Sequence, residues 1–333
     1  MIKQLILTIG ILAAIMPGAS ADPVRIRLSY IVPVSNWATI LFAKPELAKH
    51  LGTSYAFEPI LFQGTPMQIQ AQAVGELEIA NYGYTSFPIA ILNAGLGDLR
   101  IIADEFQDGV ADWYSDEFMV LKDSPIHTVE DLKGKVIGTN LKGSGVDIAM
   151  RAMLRKHHLD ETKDVTIIEA ATSTQPAMLM GHKVDIIPGV LPFSMDATVR
   201  DAARALFLQR DAMGITQMGM WVARAGFIEK NRAALVDFME DALRAERWYL
   251  DPANHDEAVA IAVKVTKAPP ERWQSWLFEK HGDYYRDPNG IPNIDALQSN
   301  IETVRDLGFI KSSIDVKKYV DLSLVEEATR RLK

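Results

Sequence analysis

The sequence contains no cysteine. That excludes disulfides, thiolate metal sites, a nucleophilic thiol and the lipid-bearing cysteine of a lipoprotein. No basic stretch is present, and the formal net charge is −8, so neutralising nucleic-acid phosphates is excluded as a main task. Past the first residues there is no apolar run near the roughly 20 residues a membrane-spanning helix needs. Enzyme signatures are missing as well. Ser144 has Lys142 two positions before it, which breaks a G-x-S-x-G nucleophile turn. Gly143-Ser144-Gly145 lacks the later lysine of a phosphate-cradling loop. Gly95-Leu96-Gly97 meets Arg100 where a dinucleotide fingerprint needs its third glycine. His157 and His158 are neighbours on a helix and point apart, and H-E-x-x-H does not occur, so no metal and no cofactor is expected. The acidic pairs Asp104/Glu105 and Asp116/Glu117 read as solvated loop charges.

What is present begins with Lys3, an uncharged apolar run from Leu5 to Met16, and Ala19-Ser20-Ala21 before Asp22. This is the build of a secretory signal peptide over residues 1–21, cleaved after Ala21. The expected mature chain is exported, free of a lipid anchor and long enough for about two domains.

Short apolar runs then alternate with helical patterns. Strands are expected at Val24–Tyr30, Tyr55–Phe62, Glu78–Tyr82 and Arg100–Ala103, and helices at Trp37–Leu51, Met67–Val74 and Pro88–Asn93. The pattern restarts with strands at Phe118–Leu121, Val136–Thr139, Val165–Glu169, Val184–Ile187 and Gly219–Ala223. Helices are expected at Val146–His157, Gln175–Met180 and Glu229–Tyr249, and the remainder reads as helices and loops. This order predicts an α/β protein with mainly parallel sheets and helices on both faces. The units around Gln63–Ile79 and Thr172–Ile187 echo each other, as two lobes of similar design would, although α/β folds reuse such units anyway.

Four helix starts follow strand ends: Thr65-Pro66-Met67-Gln68, read as a capping box, Thr85-Ser86-Phe87-Pro88, Ser144-Gly145-Val146-Asp147, and Thr172 to Gln175. Every helix needs a cap. A helix start also leaves unpaired N–H groups and a partial positive charge, and so holds an anion without a basic side chain. Ser35, Asn36 and Trp37 after the first strand, and Phe193 in Val190-Leu191-Pro192-Phe193, could add polar groups and flat apolar faces.

These residues carry a resemblance. The chain resembles the periplasmic binding proteins of ABC importers for nitrate, taurine and alkanesulfonates. The clearest marks are Phe62-Gln63-Gly64-Thr65-Pro66 with Ala73 to Ile79, Asp123 to Ile126 with Val129 to Val136, Gly143-Ser144-Gly145, Gly181 to Asp185, and Asp306 to Lys311. The resemblance implies a two-lobed type II periplasmic binding protein fold with a cleft between the lobes. Lobe one would be residues 22–115 and 223–333, lobe two 116–222, with hinge strands near 116–120 and 217–222. It further implies a monomer that captures a small organic anion, sulfonate-like or taurine-like, and delivers it to an inner-membrane ABC permease. The expected ligand-binding residues are Ser35, Asn36, Trp37, Gln63, Gly64, Thr65, Tyr84, Thr85, Ser86, Ser144, Gly145, Val146, Leu191 and Phe193. The chain departs from the family at Tyr84-Thr85-Ser86-Phe87-Pro88 and at Val190 to Phe193, which makes the pocket more apolar or aromatic and leaves room for a phthalate-like aromatic carboxylate. A receptor module that presents its ligand to a sensor is the second alternative. An enzyme similar to thiamine-pyrimidine synthases is disfavoured, because those use cysteine and histidine chemistry.

Overall fold

The computed structural model describes residues 22–62 and 64–333. The expected signal peptide and Gln63 lie outside the described residues. Among the described residues, no helix is long and apolar enough to cross a membrane.

The chain opens with β1 (Val24–Tyr30) and β2 (Tyr55–Leu61), which pair in parallel. Helix α1 (Thr65–Ala73), β3 (Ile79–Tyr82), α2 (Ser86–Asn93) and β4 (Leu99–Asp108) follow. The chain then crosses to a second group. That group holds β5 (Glu117–Leu121), β6 (Val136–Thr139), α3 (Gly145–Lys156), β7 (Thr166–Glu169), α4 (Gln175–Met180), β8 (Ile187–Gly189), α5 (Ala197–Ala202), β9 (Ala203–Leu208) and α6 (Gln209–Met213). It returns through β10 (Thr216–Arg224) into α7 (Ala225–Lys230), α8 (Arg232–Tyr249), α9 (His255–Thr266), α10 (Ile294–Asp306) and α11 (Ser323–Arg331).

The first lobe's sheet runs β2-β1-β3-β10-β4. The sheets are mixed, with the expected parallel strands and antiparallel ones besides. β1 is parallel to β2 and β3, but the returning β10 lies antiparallel to both β3 and β4. The second lobe's β8-β5-β9 sheet is antiparallel throughout, and β6-β7 is a parallel pair. Parallel pairing survives where a crossover connects consecutive strands; the chain that returns from the other lobe enters head-on and pairs antiparallel.

The helix expected over Trp37–Leu51 is two short 3-10 turns, Trp37–Thr39 and Pro45–Leu47. Pro45 has no N–H to give to the carbonyl of Leu41, so a continuous helix cannot pass through it. The segment instead wraps the core and buries Trp37, Ala38, Ile40 and Leu41. β4 also runs beyond Ala103, and the acidic residues in its extension are not solvated loop charges. Asp104, Glu105 and Asp108 are buried, as is Asp116 just before β5. Only Glu117 is partly exposed, paired with Arg200 at 2.5 Å. Distant donors make this possible. Gln217 Nε2 and the Asp287 N–H give to Asp104 at 2.6 and 3.1 Å. The helix predicted from Glu229 divides at Asn231 into α7 and α8, and the stripe Leu235, Phe238, Met239, Ala242 and Leu243 of α8 faces the core.

The two lobes are in contact along their seam. Leu191 of the second lobe is fully buried in the same cluster as Val34 and Trp37 of the first. On another edge, Arg155 of α3 donates to the carbonyls of Asp306 and Leu307 at 3.1 and 3.3 Å, capping the last turn of α10. The Arg151 guanidinium lies 5.6 Å from the Phe309 ring centre.

Candidate functional site

Two helix starts, one from each lobe, meet at the seam. On the second lobe, Ser144 caps α3 by accepting from the Asp147 N–H at 3.3 Å. Asp147 reaches back to accept from the Gly143 N–H at 2.8 Å and from Arg151 Nε at 2.9 Å. This reciprocal arrangement fixes the first turn. The Gly145 and Val146 N–H groups, which precede any intrahelical acceptor, have no partner among the described residues.

On the first lobe, the turn Gly83–Ser86 leads from β3 into α2. The Ser86 hydroxyl accepts from the Gly83 N–H at 3.0 Å, and the Tyr84 N–H donates to the Gln217 carbonyl at 3.3 Å. The Thr85 and Ser86 N–H groups are again without partners among the described residues. Tyr84 joins the two starts: its hydroxyl donates to the Gly145 carbonyl at 2.7 Å. Burial raises the Tyr84 phenol far above its usual value, with Asp108, Asp116 and Asp147 adding to the shift, so it stays protonated and remains a donor. Met218 closes the same point. A Cβ on Gly145 would sit 3.3 Å from its sulfur and methyl group, and one on Gly83 would sit 2.5 Å from its carbonyl oxygen.

The other expected residues divide. Gly64, not Thr65, is the N-cap of α1, and neither makes a side-chain capping bond, so the expected capping box is corrected. Gln68 is instead turned inward to accept from the Ser29 hydroxyl at 2.9 Å. Gly64 does face the second lobe, with Leu141 at 3.8 Å from its would-be Cβ. Thr172 to Thr174 form a 3-10 turn, and Ser173 and Thr174 are exposed. Ser35 reaches across the seam, its hydroxyl 3.5 Å from the Leu191 carbonyl. Phe193 is half-buried at the start of a 3-10 turn.

Asn36 and Trp37 are not free to read a solute. The Asn36 side chain accepts from the Ile31 and Val32 N–H groups and donates to Glu105 at 3.1 Å. Glu105 also accepts from the Trp37 N–H at 3.0 Å and from Asn81. The Trp37 ring is a core side chain, 1% exposed and stacked on Phe278 at 5.3 Å. Arg286 fills the space behind the loop. It pairs with Asp283 at 2.8 Å, donates to the Ser35 carbonyl at 3.2 Å and lies 5.1 Å from the Trp37 ring centre. Burial pushes Glu105 up to about 8, opposed by the Trp37, Trp221 and Asn36 donors and the Arg286 charge. This loop is therefore held from behind, and its Ser35 hydroxyl reaches the Leu191 carbonyl across the seam.

Met218 was not among the expected site residues, although it falls within the expected hinge strand near 217–222. Nor was Asn140, which accepts from the Ser144 hydroxyl. A polar residue four positions before an N-cap was the available signal.

Comparison with known proteins agrees with this architecture. Residues 110–255 match a family described as NMT1/THI5 like. No curated protein matches the chain in sequence. Among solved structures, the periplasmic aliphatic sulphonate binding protein SsuA from Escherichia coli is similar at TM-score 0.70 and 19% identity, over 92% of this chain and 100% of that one. The periplasmic nitrate-binding protein NrtA from Synechocystis PCC 6803 is similar at TM-score 0.70 and 14% identity, over 93% and 89%. The desulfurization enzyme DSZB shares the fold at TM-score 0.65 and 14% identity, over 93% and 100%, and a mutant of it is known in complex with biphenyl-2-sulfinic acid. The chain therefore has the fold that these sulfonate- and nitrate-binding proteins share with the desulfurization enzyme.

Proposed function

We propose that the protein is an exported solute-binding protein that closes its two lobes on a small organic anion and hands it to a membrane permease. The observation that carries this reading is the meeting of two helix starts, α2 and α3, with unpartnered N–H groups at Thr85, Ser86, Gly145 and Val146. Such groups hold an acid group without a basic side chain. In this reading the hydroxyls of Thr65, Thr85 and Ser35 add hydrogen bonds, and Tyr84, Met218 and Phe193 cover the organic tail. An apolar tail favours a sulfonate or an aromatic carboxylate over nitrate. The residues 22–115 and 223–333 move as one lobe and 116–222 as the other.

The sulfonate-binding and nitrate-binding neighbours support a binding role. The desulfurization enzyme keeps a catalytic reading in view. The lack of any cysteine weighs against it. Thermal unfolding with taurine, longer alkanesulfonates, nitrate and phthalate tests the proposal. A true ligand at 100 times its Kd stabilises by about 2.7 kcal/mol, and so raises Tm by several degrees. Release of sulfite or any other turnover of a bound sulfonate would favour the enzyme instead.

A further inference from the structure

The chain crosses between the lobes twice, and both crossings are tied at one buried point. Asp108 ends β4. Its carboxylate accepts from the Ser115 hydroxyl at 2.7 Å and from the Asp116 N–H at 2.6 Å, so it spans the whole outward crossing. The Ser115 hydroxyl in turn accepts from the Arg210 N–H at 3.0 Å, and the Asp116 carbonyl accepts from the Gln209 N–H at 2.7 Å. Those two bonds fasten the outward crossing to the start of α6, the helix from which the chain turns back. The crossings also touch: Gly109 has φ +77°, and a Cβ there would lie 2.7 Å from Arg210 Cβ and 3.2 Å from the Gly214 carbonyl oxygen. From the C-terminal segment, the Tyr284 hydroxyl donates to Asp116 Oδ1 at 2.5 Å.

Asp108 and Asp116 are both 0% exposed. Asp116 Oδ2 has no donor among the described residues. Neither carboxyl is in an ion pair among the described residues, and Glu117, next in the chain, is already paired with Arg200. The charged and titratable groups that face the pair are Arg210 from α6, Glu117 from β5, Tyr114 from the outward crossing, Tyr84 from the α2 turn and Tyr284. Asp283, beside Tyr284, is neutralised by Arg286. Two neighbouring buried carboxylates with no paired cation among the described residues are costly to ionise together, and the Oδ2 of Asp116, which has no hydrogen-bond partner among those residues, is the oxygen best placed to keep a proton.

We infer that Asp108 and Asp116 form a proton-holding clasp on the hinge, so that closing of the lobes takes up a proton and is weakened as pH rises. The inference rests on the reading that the lobes open and close around a solute. The sign follows from burial. Desolvation raises both carboxyls above the usual carboxylate range, and Asp108 raises Asp116 further. A group that binds its proton more tightly in the closed form than in a water-reached open form favours closing at low pH. That advantage is lost as pH climbs through the raised values, by up to about tenfold in the open-to-closed ratio per pH unit for one proton.

The test uses the solute-free protein, so it does not depend on the ligand assignment. Small-angle scattering between about pH 5 and about pH 9 should show the radius of gyration rising with pH, with hydrogen exchange at the Asp116, Gln209 and Arg210 amides speeding up over the same range. Asp116→Asn keeps an acceptor for Tyr284 and cannot ionise; it should stay compact across the range. Wild-type scattering and exchange that do not respond to pH beyond the intrinsic exchange rate overturn the clasp, and so does an Asp116→Asn protein that opens as the wild type does. If Asp116→Asn fails to fold, the wild-type series alone decides. Failure of every anion to stabilise the protein would instead overturn the solute reading and leave the clasp standing.

Discussion

The Tyr84 hydroxyl and the Gly145 carbonyl are 2.7 Å apart, and they join the start of α2 in one lobe to the start of α3 in the other. In the proposed reading the bond exists only while the lobes are together. Tyr84→Phe removes it without changing the ring, at a cost of about 1 kcal/mol. Affinity should fall about fivefold, and by the same factor for every ligand that binds, because the change acts on closure and not on any one ligand group. Titration of the variant against several anions checks this. A loss confined to one ligand would place Tyr84 against that ligand's own atoms.

Trp37 and Phe193 entered as equivalent covers for a tail, and the structure separates them. Trp37→Ala empties a core position stacked on Phe278 and should cost about 3–5 kcal/mol in urea unfolding. Phe193→Ala, at a half-buried position, should cost far less stability and, in the proposed reading, should lower affinity for aromatic or long-tailed anions more than for short ones. Equal stability losses in the two variants would contradict this division.

Asp104 and Glu105 make the fold itself pH-dependent. Burial pushes Asp104 up to about 7 and Glu105 up to about 8. Both values lie above those of the unfolded chain, so the stabilisation they give is complete below about pH 4 and is lost as pH rises through about 7 and about 8. Tm should fall by about 5 °C or more between about pH 6 and about pH 9. Asp104→Asn, which still accepts one of the bonds from Gln217 and Asp287, should flatten that fall. Calorimetric melts across the range provide the check.

These acids also show what the sequence does not disclose. Val24–Tyr30, Val136–Thr139 and Gln175–Met180 are structured as their local patterns predict, because alternation, apolar runs and a proline in the first helical turn are signals held within a few residues. The Ser144 cap is legible for the same reason. Asp104 and Glu105 look like loop charges because their partners Gln217, Asp287, Asn36 and Asn81 are far away in sequence. Trp37 to Leu51 shows the opposite failure: a loop wrapped around a core places apolar residues at helical spacing without being a helix. At the candidate site, the helix starts are visible in the sequence. Their meeting through Tyr84 and Met218 is a property of two lobes brought together and has no local trace.

The contact between Arg155 and the end of α10 offers a second handle on closure, far from the helix starts. Arg155→Ala removes donors to the Asp306 and Leu307 carbonyls. The change also removes the Glu161 ion pair at 2.5 Å, and being at a partly exposed site it should lower unfolding stability by only about 1 kcal/mol. Scattering should nevertheless show a larger share of open molecules, and ligand release should quicken. Unchanged dimensions and unchanged release would mean that this edge does not part when the lobes move.

The central claim is that backbone N–H groups at two facing helix starts hold the acid group of a small organic anion. Isothermal titration of the purified protein with taurine, a series of alkanesulfonates and phthalate tests it most directly. The account predicts one-to-one binding by at least one of these anions, together with a matched uncharged analogue that binds at least about a hundredfold more weakly. Equal binding of the uncharged analogue, or no heat from any organic anion, would contradict it.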